Sequence, residues 1–355
     1  MHFVVAGGGT GGHIYPAVAI AERLSERGTV TMLARSDSME QRVFLASGLD
    51  VKTVCSAPLL YTPSSLWRLA VATRVGVSAA RRVMKDVHTD AFVGTGGYVS
   101  VPGIVAAQLC GIPVYLLEQN TVMGRANRLF SRLARHVFLG FPVGGVADPR
   151  FIVTGNPLRR KIYAALMECR SSGSVRRGLL FVGGSGGASF INELFLRTIQ
   201  ELDARGREVL VTAVTGPEDY ARIRDVVEGL SLRHVKPAVV SYEEHMERLY
   251  EQTCVAVTRG GALALTELAV GGIYAIVIPY PFAVGSHQSK NATYLESLGL
   301  GIRMEQKSLQ FDAYLSILER ELSDKTGLAL PASSVFGSDA AEAIVRTIEE
   351  ECSHV

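Results

Sequence analysis

An apolar run, Phe3-Val4-Val5-Ala6, breaks into Gly7-Gly8-Gly9-Thr10-Gly11-Gly12 and then His13. Gly7, Gly9 and Gly12 satisfy G-x-G-x-x-G, the spacing of a strand-to-helix turn whose amides cradle a pyrophosphate. So many glycines add to the entropy lost on folding, a cost a bare tight turn does not require. The dinucleotide form of the motif wants an acidic residue about 20 positions later. Here the next apolar run ends Leu33-Ala34-Arg35, with Asp37 beyond, which leaves a dehydrogenase reading open only in an NADP form. His13 falls at the start of the following helix, where the dipole opposes added positive charge and favours a neutral ring. Such an imidazole suits a general base, a structural histidine being the alternative. Pro16 fits the first turn of that helix.

More polar groups gather where apolar runs end. Gly94-Thr95-Gly96-Gly97-Tyr98-Val99-Ser100 is a second glycine-rich turn, and Leu117-Glu118-Gln119-Asn120 sets three polar side chains after a buried strand. Glu118 joins His13 as a candidate catalytic group; capping of the next helix is the competing reading. Gly155-Asn156-Pro157-Leu158-Arg159 closes the first half, and Gly183-Gly184-Ser185-Gly186-Gly187 opens the second with an echo of the first turn. In Thr258-Arg259-Gly260-Gly261-Ala262-Leu263-Ala264-Leu265-Thr266-Glu267 a strand ends, two glycines turn and a helix begins. Its first amides can hold phosphate oxygens, and Glu267, one turn in, can accept from ribose hydroxyls. An exposed first-turn Glu favoured by the dipole is the plainer alternative. His287, Gln288 and Asn291 stand at one more helix start. There is no suitably placed D-x-D pair for a divalent ion, so no metal is expected.

The elements that must position these residues alternate regularly. Strands are expected at Phe3–Ala6, Val30–Ala34, Val51–Cys55, Ala91–Gly94, Val114–Leu117, Val137–Leu139 and Phe151–Thr154, then at Leu179–Val182, Val209–Ala213, Val255–Thr258 and Ala275–Ile278. Continuous apolar runs separated by amphipathic helices indicate parallel sheets covered on both faces. The fold class is α/β, two Rossmann-like doubly wound domains whose strand ends would face a central cleft. A length of 355 residues suits two domains. The basic, polar stretch between Pro157 and Gly178 marks the boundary, giving domains 1–158 and 159–337, with a final helix near 338–355 expected to pack back on the first.

Composition narrows the partners. A net charge of +2 is too small for general nucleic-acid binding, and 48% hydrophobic residues exclude a largely disordered chain. Five scattered cysteines without a C-x-x-C pair fit neither a zinc site nor a disulfide framework, and point to a reducing compartment. Neither a secretory signal nor a spanning segment is read, which makes a soluble, cytoplasmic protein the expectation.

Taken in order, G-G-T-G-G-H at Gly8–His13, G-G-Y-V-S at Gly96–Ser100, E-Q-N at Glu118–Asn120, G-N-P-x-R at Gly155–Arg159, G-G-S at Gly183–Ser185, R-x-G-A at Arg259–Ala262 and H-Q-x-K-N-A at His287–Ala292 make the chain resemble the MurG family. The resemblance implies a GT-B fold and an inverting, metal-independent transfer of N-acetylglucosamine from UDP-N-acetylglucosamine. The implied acceptor is undecaprenyl-pyrophosphoryl-N-acetylmuramyl-pentapeptide, in peptidoglycan synthesis. It implies that Arg259 and Gly261 through Thr266 hold the pyrophosphate, Glu267 the ribose, and His287 and Gln288 the sugar. Ser185 and Arg159 would line the nucleotide, Tyr242 or its neighbour would meet the uracil, and Thr10, Gly11, Gly12 and Asn120 would complete the donor site. Gly9, Gly96, Gly97 and Tyr98 would form the acceptor-side loops, with His13 as base. No cofactor is implied. The chain departs from the family at Leu117, usually His, at Gly186, usually Gln, at Gly260, usually Ser or another small residue, and at Tyr274, usually Pro. Three alternatives stay open: another GT-B lipid glycosyltransferase, an NADP-dependent oxidoreductase and a non-catalytic nucleotide-binding scaffold.

A lipid acceptor brings the enzyme to a bilayer. Leu66, Trp67 and Arg68, followed by Arg74, Arg81, Arg82 and Lys85, suit an interfacial patch on anionic lipid at the cytoplasmic face of the inner membrane. An ordinary amphipathic helix packed on the sheet is the alternative.

Overall fold

A computed structural model describes residues 1–56, 63–145, 148–171, 176–184, 186–323, 330 and 335–353, with the side chains of 63–71 and of 284 left aside. The chain forms two compact units, Met1–Arg160 with Ser338–Val355, and Lys161–Gly337.

The first unit holds seven strands: β1 (His2–Ala6), β2 (Thr29–Ala34), β3 (Asp50–Thr53), β4 (Ala91–Gly94), β5 (Val114–Glu118), β6 (His136–Leu139) and β7 (Phe151–Val153). They run parallel in the order β3-β2-β1-β4-β5-β6-β7. Helices Gly11–Leu24 and Ala340–Cys352 bury one face, where Phe3, Val5, Ile14, Tyr115, Leu117, Ile344 and Ile348 share a core. Helices Pro63–Asp86 and Ser100–Cys110 cover the other, on Val4, Leu33, Phe92 and Leu116. Each such side chain adds about 1.5–3 kcal/mol by leaving water. Asp339 caps the last helix, accepting from the amides of Ala341 and Glu342.

The second unit repeats the plan with β8 (Gly178–Val182), β9 (Val209–Val214), β10 (Val235–Val240), β11 (Thr253–Thr258), β12 (Tyr274–Val277) and β13 (Gly301–Arg303), all parallel in the order β10-β9-β8-β11-β12-β13. Two of these strands, β10 and β13, were not expected. Both are edge strands: Pro237 interrupts the apolar run of the first, and the second has three residues.

In both units the strand order reverses between two neighbours, β1 and β4 in the first, β8 and β11 in the second. Loops diverge there at the carboxyl ends of the strands, where open α/β sheets bind ligands.

Candidate active site

In the first unit the turns after β1 and β4 meet at the reversal point. The helix expected to start at His13 begins at Gly11, because Gly11 and Gly12 already adopt helical geometry. Pro16 therefore lies in the second turn, not the first. Thr95 ties the two turns together. Its N–H donates to the Ala6 carbonyl at 2.8 Å, and its hydroxyl donates to the His13 carbonyl at 2.7 Å. The Thr95 carbonyl in turn faces His13 Nδ1 at 3.0 Å. A carbonyl only accepts, so Nδ1 carries the proton, and in the neutral ring Nε2 carries the lone pair. Gly96 is glycine of necessity: its φ is +99°, and a Cβ there would stand 2.8 Å from His13 Nδ1.

Around this core, Thr10 and Gly12 are exposed, His13 and Tyr98 half-buried. Arg35, which carried the NADP reading, is engaged elsewhere. Its Nε meets the buried Glu40 carboxylate at 2.9 Å, and its guanidinium lies 5.0 Å from the Tyr98 ring. Burial raises the Glu40 pKa, but the Arg35 hydrogen bond and charge outweigh it and hold the carboxyl below its usual value. Arg159 lies 4.6 Å over the Tyr15 ring.

Glu118 is 1% exposed and accepts four hydrogen bonds: from the Asn120 amide N–H and side chain at Oε1, and from the Gly124 N–H and Asn127 side chain at Oε2. A carboxylate so surrounded anchors the loop that carries Asn120. Leu117, where a polar residue near the acceptor was expected to be missing, is a fully buried core residue. Sequence reading gave Gln119 no role of its own within the E-Q-N segment. Its side-chain amide donates to the Thr95 carbonyl at 2.6 Å, and Asn156 Nδ2 donates to the Gln119 carbonyl at 3.1 Å.

In the second unit, helix Ala262–Val270 starts after Gly261, a cap residue with no side chain to occupy the first amides, and such a helix start can receive an anion. Leu263 and Ala264 are half-buried; Ala262, Leu265 and Thr266 are buried, and the Thr266 hydroxyl donates back to the Ala262 carbonyl at 2.9 Å. Arg259 is 8% exposed, and its Nη1 donates to the carbonyls of Ile278 and Pro279 and to Gln306 Oε1 at 2.8 Å. Burial lowers its pKa, opposed by Tyr280. It holds the end of β11 to the end of β12.

Gln288 Oε1 accepts from the amides of Gly260 at 3.2 Å and Tyr280 at 2.8 Å, which turns its NH₂ away from the backbone. Asn291 donates to the Gly260 carbonyl at 3.0 Å. Gly260 is the second glycine with no substitute, since a Cβ would overlap the Gln288 carbonyl. Gly285 (φ +63°) and Ser286 (φ +53°) bend the chain so that His287 opens helix His287–Ser297. A left-handed serine costs energy that ordinary loops avoid, and such positions cluster at functional sites. Buried Tyr250, also unforeseen, donates to Glu267 Oε2 at 2.6 Å.

Arg259, Gly261 through Glu267, His287 and Gln288 thus form one cluster. Tyr242 is exposed after the edge strand β10, with β9 and β8 lying between that strand and β11. Ser185 lies outside the described residues, as do the side chains of Leu66, Trp67 and Arg68 on helix Pro63–Asp86. Among the described residues no three His, Cys, Asp or Glu side chains converge to hold a metal. No helix among them is long and apolar enough to cross a membrane.

Comparison with known proteins places these two units in context. The profile of the glycosyltransferase family 28 N-terminal domain matches residues 3–139, and that of the glycosyltransferase family 28 C-terminal domain matches 179–350. A UDP-N-acetylglucosamine--N-acetylmuramyl-(pentapeptide) pyrophosphoryl-undecaprenol N-acetylglucosamine transferase from Methylococcus capsulatus is 32% identical, with 98% of both chains covered. A protein of the same name from Psychromonas ingrahamii is 33% identical, with 96% of both covered. The crystal structure of Acinetobacter baumannii MurG superposes with a TM-score of 0.73 at 26% identity, covering 98% of this chain and 99% of that one.

Proposed function

The chain belongs to the MurG family within glycosyltransferase family 28, and we propose that it transfers N-acetylglucosamine from UDP-N-acetylglucosamine to undecaprenyl-pyrophosphoryl-N-acetylmuramyl-pentapeptide in peptidoglycan synthesis. The likeness to transferases of that name over 98% of both chains is the observation that carries this reading. Units Met1–Arg160 and Lys161–Gly337 would divide the labour, the first taking the acceptor and the second the nucleotide sugar.

His13 Nε2 accepts the proton of the acceptor hydroxyl as that oxygen attacks the anomeric carbon. The bond from that carbon to the diphosphate oxygen breaks on the opposite face, inverting the centre and releasing UDP. The open amides at Gly261–Ala264 take the charge that builds on the leaving diphosphate, so the transfer needs no divalent ion. Glu267 holds the ribose, His287 and the Gln288 NH₂ the sugar, while Arg259 steadies the loop between them. On the family likeness, Thr10, Gly11, Gly12 and Asn120 are assigned to the donor, and Gly9, Gly96, Gly97 and Tyr98 to the acceptor. Arg159, Ser185 and Tyr242 remain assigned to the nucleotide on the family likeness alone. Glu118 acts through the Asn120 loop.

The enzyme would work at the cytoplasmic face of the inner membrane as a peripheral protein. Support comes from Leu129 and Leu133, exposed on the same segment as the exposed Arg125, Arg128 and Arg132, and from exposed Leu109.

The deciding experiment is transfer of radiolabelled N-acetylglucosamine from its UDP ester to the lipid-linked muramyl acceptor, with and without EDTA. Labelled lipid should form in both cases; failure to form it would reject the activity. His13→Gln should lower kcat by about 10²–10⁴ while UDP still raises the melting temperature.

A further inference from the structure

The lone pair of His13 is useful only if the ring proton stays on Nδ1, and that choice rests on the Thr95 carbonyl. The peptide bearing this carbonyl lies between Gly94 and the Gly96-Gly97 pair. Both Gly96 (φ +99°) and Gly97 (φ +74°) adopt conformations closed to most residues. Glycine backbones are the least self-fixing, so the carbonyl direction must be held from outside.

Gln119 supplies that hold. Its Nε2 donates to the Thr95 oxygen at 2.6 Å, a shorter contact than the 3.0 Å from His13. The amide cannot be flipped, because Oε1 would then oppose the carbonyl. Gln119 is 2% exposed, and its Oε1 finds no hydrogen-bond partner among the described residues. A buried amide with one end unsatisfied costs stability. Its Nε2 contact with Thr95 is the compensation the structure displays. Asn156 Nδ2 fixes the Gln119 backbone from behind.

We propose that Gln119 is a positioning residue for the transfer: it fixes the Thr95 carbonyl and thereby locks His13 in the Nδ1–H form. The proposal rests on His13 being the base, and its test separates the two ideas.

Histidine labelled with ¹⁵N reports the tautomer by its imidazole shifts, with the His13 signals identified by their loss in His13→Gln. In the wild type they should read Nδ1–H. In Gln119→Leu they should move toward a mixture with Nε2–H. The same variant should lose about 10- to 100-fold in kcat, less than the full worth of a general base, with the KM for UDP-N-acetylglucosamine within about twofold. Gln119→Glu keeps the shape and adds a switch. The acid form still donates to Thr95, and the carboxylate repels it. Activity should therefore be near wild type at low pH and gain a falling limb, absent from the wild type, as pH rises. If Gln119→Leu does not fold, Gln119→Glu carries the test alone. A wild-type tautomer in Gln119→Leu, or a wild-type pH profile in Gln119→Glu, would overturn the positioning role and leave His13 as base. Unchanged kcat in His13→Gln would instead remove the base, and this inference with it.

Discussion

The phenol of Tyr250 donates to Glu267 Oε2 at 2.6 Å, from a ring that is 2% exposed. A buried donor of this kind fixes one carboxylate oxygen and leaves the ligand to be met in a set direction. Tyr250→Phe removes the hydroxyl with little change of shape. A hydrogen bond to a charged group contributes about 1.5–3 kcal/mol, and part of that should appear as weaker donor binding. The KM for UDP-N-acetylglucosamine should rise about 3- to 30-fold with kcat nearly unchanged. Calorimetry with UDP and its 2′-deoxy analogue checks the cause: the preference for the ribose hydroxyl should shrink in the variant.

Glu118 yields a prediction of a different kind. Four donors point at its two oxygens, and glutamine can accept at only one. Glu118→Gln should cost about 1–3 kcal/mol in urea unfolding, because an NH₂ then faces a backbone N–H. The loop bearing Asn120 should loosen and donor affinity fall. The shape of the pH–rate profile should stay as in the wild type; a lost limb would make Glu118 a proton carrier after all.

Two glycine substitutions should behave in opposite ways. Gly260→Ala drives a methyl into the Gln288 carbonyl and should destabilise the protein by about 1–3 kcal/mol. Gly186 has open space around it, so Gly186→Gln should fold with a melting temperature close to that of the wild type. Thermal scans of the two proteins make the comparison.

The sheets and their glycine turns were legible because buried parallel strands write themselves as apolar runs, such as Leu179–Val182. The edges were not: Pro237 hides β10, and three residues are too few to announce β13. The first turn was visible too, yet its chemistry was ambiguous until Arg35 was found bound to Glu40. Contacts made only by the tertiary fold left no local trace. Gln119 reads as a helix cap, although its partner Thr95 lies 24 residues away. Tyr250 reads as one more core aromatic, 17 residues from the carboxylate it holds.

The C-terminal helix should release in acid. Glu351 accepts from the Tyr115 hydroxyl at 2.9 Å and meets His136 Nε2 at 2.8 Å and Arg135 Nε at 2.7 Å. Burial works against the carboxylate, but the His136 and Tyr115 hydrogen bonds and the Arg135 charge outweigh it and hold its pKa below the usual 4.5. A carboxyl depressed in the folded state stabilises above its unfolded pKa and loses that stabilisation as pH falls through the folded one. The protection of amides in Ala340–Cys352 against exchange, relative to their intrinsic rates, should therefore fall below about pH 4.5. Glu351→Gln should exchange faster at neutral pH and show a weaker acid response. An identical acid response would show that Glu351 is not the group that couples this helix to pH.

The membrane reading can be tested on the described surface. Leu129 and Leu133 are 70% and 47% exposed, and Leu109 is 59% exposed. Gln108 Nε2 donates to the Leu133 carbonyl at 2.9 Å, which joins the end of the helix that carries Leu109 to the segment that carries Leu133. Arg125, Arg128 and Arg132, on the same segment as Leu129 and Leu133, are exposed as well. Apolar groups ringed by arginine bind anionic bilayers by burying the former and neutralising headgroups with the latter, and salt screens only the second part. Leu129→Gln with Leu133→Gln should reduce sedimentation with phosphatidylglycerol vesicles at low and high salt alike. Arg128→Gln with Arg132→Gln should reduce it mainly at low salt. Both pairs should bind UDP as the wild type does. Undiminished sedimentation of both would move the bilayer contact away from this face.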